Sequence, residues 1–135
     1  MSLSELFAYL GAPLANNRWS WGAIRNRDGA VFLRVWQDEW QKVDGRRAVR
    51  ITDNQFFADA ADNLGYSERL RHIDLLRNGN PGFMIMCLAN DLAANPRTIH
   101  SFNEREVFVG GAVIDHDGEV WLEAVRREPI ANVRP

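Results

Sequence analysis

Two Asp-Gly pairs, each set between stretches of alternating apolar residues, limit what this chain can fold into more than any other feature. Asp28-Gly29 separates residues 19–25 from residues 30–36, and Asp117-Gly118 separates residues 107–115 from residues 119–125. Asp-Gly enters the left-handed turn region at low cost, so each pair predicts a tight β-hairpin. Hairpins force antiparallel pairing, which argues against a doubly wound parallel sheet with a long helix after every strand. A further turn at Val43-Asp44-Gly45-Arg46 leads into a third strand at residues 48–51.

The other elements follow from local pattern. Ser2-Leu3-Ser4-Glu5 has capping-box spacing, and Leu3, Phe7 and Leu10 recur at helical intervals until Gly11 and Pro13, giving a short N-terminal helix. The first predicted strand places Trp19, Trp21 and Ala23 on one face. The second turns Val31, Leu33 and Val35 one way and Phe32, Arg34 and Trp36 the other. Asp53 can cap a helical turn through Phe56, Phe57 and Ala60 that stops at residues 63–65. Ser67 then caps the main helix, residues 68–77, with Leu70, Ile73 and Leu76 inward, Arg71 and Asp74 outward, and Arg69 and His72 at its edges. Residues 83–89 are apolar on both faces and read as a central strand. A loop at 90–96, a polar strand at 97–102, and a Gly110-Gly111 bulge in the second hairpin complete the list, with a frayed or edge extension after Arg126. The expected architecture is a single α+β domain over residues 1–135. It has a mostly antiparallel twisted sheet or small open barrel, a short N-terminal helix and one main helix.

Composition sets the function classes aside in turn. Hydrophobic residues at 46% and charged residues at 25% suit a soluble globular protein, and no apolar run approaches the ~20 residues of a membrane helix. Glu5 stands where a secretory leader is basic, and Cys87 has no partner for a disulfide, so a cytoplasmic location and no membrane partner are expected. A net charge of −2 gives no global positive field for non-specific nucleic-acid binding, so any such contact must be local. Fifteen of the sixteen basic residues are arginine, the better bidentate partner for phosphate or guanine, although arginine-rich codon usage accounts for the bias as well.

Catalytic signatures are sparse. His72, His100 and His116 are scattered, so no metal site and no cofactor is expected. Cys87 lies in an apolar strand, where cysteine serves as a small hydrophobe. The chain has no Gly-x-Ser-x-Gly elbow and no phosphate-cradling Gly-x-x-x-x-Gly-Lys loop. Asp38, Glu39 and Lys42 have unspecific spacing for a metal-dependent nuclease. Asp115, Asp117 and Glu119 suit a solvated hairpin tip, and Glu39 with His72 is an acid-base pair only by availability.

What remains is aromatic and polar. Four of the five tryptophans fall in residues 16–40, among amides, arginines and carboxylates. Stacking a planar base needs aromatic faces, and reading its edge needs amides, carboxylates or arginine. Asn17, Trp19, Trp21, Trp36, Asp38 and Tyr66 are the candidate ligand-binding residues, and Arg18, Arg34 and Arg69 the candidate phosphate-binding residues. The structural account is that Trp19 and Trp21 are core while Trp36 and Trp40 cover a sheet edge. A second functional account makes Trp36 and Trp40 an apolar patch for a homodimer or another protein partner.

Several segments carry a family resemblance: Asn-Asn-Arg-Trp-Ser-Trp-Gly-Ala at 16–23, Phe-Leu-Arg-Val-Trp-Gln-Asp-Glu at 32–39, and Gly-Tyr-Ser-Glu-Arg-Leu-Arg-His-Ile at 65–73. Gly-Asn-Pro-Gly-Phe at 79–83 and Val-Gly-Gly-Ala-Val-Ile-Asp-His-Asp-Gly-Glu-Val-Trp at 109–121 continue it. The succession resembles a family of uncharacterised bacterial proteins found in restriction-type and HNH-endonuclease neighbourhoods. A compact sheet with an aromatic-lined pocket is also similar in architecture to PUA-like modules of the SRA, EVE and YTH kind. That likeness implies a non-catalytic reader of a modified or flipped base in DNA. The chain has no HNH cluster of its own, so nuclease activity is not implied.

Overall fold

The computed structural model describes residues 1–57, 63–94 and 96–135. Its elements are α1 (Leu3–Tyr9), β1 (Gly22–Arg25), β2 (Ala30–Trp36), a single 3-10 turn (Gln37–Glu39), β3 (Trp40–Val43), β4 (Arg46–Arg50), α2 (Leu64–Arg77), β5 (Gly82–Ala89), β6 (Ile99–Phe102), β7 (Glu106–His116), β8 (Glu119–Pro129) and α3 (Ile130–Val133). The strands make one eight-stranded sheet in the order β1-β2-β5-β7-β8-β4-β3, with β6 also paired to β5. The fold is therefore α+β with an open sheet. The barrel alternative is not realised, because β1 and β3 lie at opposite ends of the order and do not pair.

Both Asp-Gly hairpins form. Asp117 and Gly118 take φ of 51° and 76°, the left-handed pair that a two-residue hairpin turn requires, and β7 and β8 pair along eleven residues each. Asp44 and Gly45 repeat this geometry and join β3 to β4, a strand pair of which the sequence pattern revealed only the second member. The register shifts between Val109, Gly110 and Val113, which is the bulge expected at the glycine pair.

β5 is the central strand. It runs parallel to β2, from Val31 opposite Gly82 to Trp36 opposite Cys87, while the other pairings are antiparallel. Its other side is shared, with Phe83 and Met84 on β7 and Cys87 to Ala89 on β6. Apolar side chains cover both faces. Leu6 and Phe7 of α1, Leu10 just after it, and Ile130 and Val133 of α3 pack with Phe32, Ile85 and Val107 in one cluster. Ile73 and Leu76 of α2 pack with Val31, Leu33, Met84 and Leu122 in another. Full burial of each such side chain contributes about 1.5–3 kcal/mol.

Several boundaries differ from the sequence reading. β1 begins only at Gly22, because residues 16–20 close into a turn in which the Ser20 N–H donates to the Asn16 carbonyl and the Asn16 N–H donates to Ser20 Oγ. The main helix starts at Leu64, a turn earlier than expected. Asn63, read as a stop, is its cap and accepts the Tyr66 N–H at 2.9 Å. The buried face runs through Gly65, Tyr66, Glu68, Arg69, His72, Ile73 and Leu76, so Arg69 and His72 lie inside rather than at the helix edges and Leu70 is exposed rather than inward. The tail is also ordered, since β8 continues to Pro129 opposite Glu106 and α3 joins the core. The turn begun at Asp53 is present, with the Phe56 N–H on Asp53 Oδ1 and the Phe57 N–H on the Asp53 carbonyl; its continuation through Ala60 lies outside the described residues. Among the described residues, no helix is long and apolar enough to cross a membrane.

Candidate functional site

A cavity of about 180 Å³ opens at the carboxyl-terminal ends of the parallel pair β2 and β5. Arg34, Val35 and Trp36 of β2 and Cys87 of β5 line it, together with Arg50, Ile51, Thr52 and Asp53 at the end of β4, and Tyr66 and Arg69 of α2. Trp21, Glu39, Phe56, Phe57, Pro96 and Arg97 complete the wall.

Arg69 holds these segments together. Its side chain is only 5% exposed, and its guanidinium donates to the Ile51 carbonyl at 2.8 Å, the Arg34 carbonyl at 2.7 Å and the Trp21 carbonyl at 3.1 Å. The Trp21 carbonyl also accepts the Arg34 N–H at 3.0 Å, so the fork ties the paired β1 and β2 segments to the end of β4. Burial, with the nearby Arg34 charge second, lowers its pKa to about 9, which leaves it charged at neutral pH. Gly65 brings the helix into place, because a Cβ there would sit 2.6 Å from both the Trp19 carbonyl oxygen and the Trp21 indole.

Four aromatic rings form one wall. Phe57 stacks on Tyr66 at 4.7 Å between centroids with a 17° tilt, Trp21 lies 5.2 Å from Phe57 and 6.1 Å from Tyr66, and Phe56 meets Phe57 edge-on at 4.7 Å. Burial raises the Tyr66 pKa, and its hydroxyl donates to Asn54 Oδ1, which keeps it a neutral phenol.

The opposite wall is ionic. Arg97 grips Asp38 with two bonds at 2.8 and 2.9 Å, reaches Glu39 at 3.4 Å, and lays its guanidinium 5.5 Å from the Trp36 ring centroid. Arg50 pairs with Glu39 at 2.8 Å and lies 3.9 Å from Asp53 and 3.7 Å from Glu119. Glu119 also accepts from Thr52 Oγ1 and the Asn54 N–H. Arg34 differs from these: among the described residues it has no carboxylate partner, and its guanidinium stands 5.9 Å from the Trp21 ring centroid. Partial burial lowers its pKa. The described lining therefore carries four arginines, of which Arg50 and Arg97 are neutralised by Asp38, Glu39, Asp53 and Glu119 while Arg34 and Arg69 have no carboxylate partner among the described residues.

Of the residues singled out from sequence, Trp21, Trp36, Tyr66, Arg34 and Arg69 meet in this cavity. Asp38 stands behind its rim with both oxygens on Arg97, so it is occupied as an edge reader. Asn17, Arg18 and Trp19 lie in the turn before β1 and do not line the pocket. Arg69 is consumed by carbonyls and is too buried to reach a phosphate outside. Sequence reasoning missed Phe56, Phe57, Arg50 and Arg97. The adjacent phenylalanines after the capping Asp53 were the one signal for the first two.

Other candidate chemistries are not assembled. Glu39 is held by arginines in the pocket wall, while His72 is 4% exposed on α2 and does not line the cavity. Asp38 and Glu39 bind Arg97 rather than facing Lys42, and Asp115 pairs with Arg77. Burial pushes the Cys87 thiol up to about 11, so it stays protonated. Among the described residues no group of three His, Cys, Asp or Glu side chains is arranged to hold a metal ion. Comparison with protein-family models, curated proteins and solved structures finds no match to this chain.

Proposed function

We propose that this domain is a reader that takes a single flipped nucleobase into the cavity between β2, β5 and α2. The observation that carries the reading is the composition of the walls: Trp21, Phe57 and Tyr66 offer flat apolar surface, and arginines sit where a base edge would lie. A volume of about 180 Å³ is smaller than the ~300–1,000 Å³ of sites for drug-sized ligands, so the room suits one ring system and leaves sugar and phosphate outside. The same groups favour binding over proton transfer, because the carboxylates are paired with arginine and the thiol is held neutral.

Tryptophan fluorescence tests this reading. Short DNA carrying cytosine or a cytosine with a methyl, hydroxymethyl or carboxyl group at C5 is titrated at low salt, and the expected result is quenching that depends on the modification and is lost in Trp21→Ala. A flat response to every DNA would remove the reader assignment. One further observation favours the interaction reading: Trp40 is 55% exposed on edge strand β3, with Arg47 standing 5.9 Å from its ring centroid. Trp36 does not join it in a patch, since Trp36 lines the cavity under Arg97.

A further inference from the structure

The arginines of the cavity are unequally engaged. Glu39 is ion-paired through Oε1 with Arg50 and Arg97, Asp53 Oδ1 caps Phe56, and Thr52 is engaged with Glu119 and the Val120 N–H. These contacts occupy one oxygen of each carboxylate. On the donor side, Arg34 has no side-chain hydrogen bond among the described residues, and Arg69 Nε is buried without an acceptor. A site with spare donors favours a ligand that brings acceptors to them, because a buried donor left unpaired costs about 1–3 kcal/mol. Arg34 adds charge to that preference, since its planar fork fits a carboxylate with two parallel bonds.

We infer that the ligand of this pocket is a planar ring bearing an acidic substituent, seated against Trp21 with its carboxylate on Arg34. This rests on the reading that the pocket takes a base, and it names which one: a pyrimidine carrying a carboxyl group, in preference to a methyl or hydroxymethyl group. The ring packs on the Trp21, Phe57 and Tyr66 wall, and the carboxylate replaces the solvent that a half-buried guanidinium has only partly lost. The same chemistry is offered by a carboxylated cytosine in DNA and by a free pyrimidine carboxylate.

Both sources are tested together. Fluorescence titrations compare DNA containing 5-carboxylcytosine, 5-methylcytosine or cytosine with free orotate and free uracil. Binding at least tenfold tighter for the carboxylated member of either set is expected. Arg34→Met should reduce that ratio to near one, with Arg34→Lys intermediate because it keeps the charge and loses the fork. Circular dichroism of each variant establishes that the fold is retained, as expected from the Arg34 carbonyl, which holds Arg69 and is untouched by the substitution. DNA binding that ignores the carboxyl group overturns the inference and leaves the reader assignment standing. Selective binding of free orotate with no DNA response supports the ligand class and overturns the reader. No response to any of these probes overturns both.

Discussion

At the scale of single residues, the departures from expectation concern charged groups that the sequence gives no reason to bury. Arg69 occupies a helix position that periodicity would leave at the boundary, and it is tolerated inside because three carbonyls satisfy its fork. His72 has no such compensation, since its Nδ1 is buried without a partner. Burial, then the charges of Arg69 and Arg71, lowers its pKa to about 4 against 6.5 for a free histidine. Below pH 6.5 the unfolded chain binds a proton at His72 that the folded chain refuses, so stability falls as pH drops from 6.5 towards 4, by about 3 kcal/mol over the full window. Glu68, whose pKa is raised by burial, acts in the opposite sense and offsets part of that loss nearer its own titration. Urea midpoints measured between pH 7.5 and 4.5 should fall for the natural protein, and His72→Leu should flatten the upper part of that slope.

At the scale of elements, hairpins and helix ends were legible where one local signal decided the conformation. Asp117-Gly118 could adopt little else, and Asn78-Gly79 stopped α2 as expected. The start of α2 was not legible, because Asn63 and Ser67 are both good caps and choosing between them required knowing that Gly65 fits against Trp21. β3 was hidden for a related reason: Trp40, Gln41 and Lys42 are all exposed and only Val43 is buried, and one buried position imposes no period. The candidate site was legible in its aromatic and arginine content but not in its membership. Arg50 and Arg97 enter through pairing with Glu39, a contact between segments far apart in sequence. The close approach at Gly65 makes a direct prediction. Gly65→Ala must push α2 from Trp21 and should cost about 1–3 kcal/mol in denaturation while shifting the tryptophan emission towards longer wavelength. Asn63→Ala, which removes only the cap, should cost about 1 kcal/mol and leave the emission in place.

At the scale of the whole molecule, β3 with exposed Trp40 is an end of the sheet presenting unpaired backbone groups. Such ends invite a second strand, and Lys42 is the kind of residue that discourages it. If the chain associates through this edge, light scattering will give a dimer that Trp40→Ala returns to monomer; a monomer at all concentrations would end the interaction reading.

The path from β2 to β5 has a temporal meaning as well. After Trp36 the chain crosses to the far end of the sheet, forms β3 and β4, and returns through α2 to lie parallel with β2. The β4 wall of the cavity is held by β8, which follows every lining residue in the chain. Closing so long an excursion is slow compared with forming a hairpin. Ligand affinity should therefore appear late in refolding, after the secondary structure has formed, and a nascent chain should be unable to bind before β8 has left the ribosome.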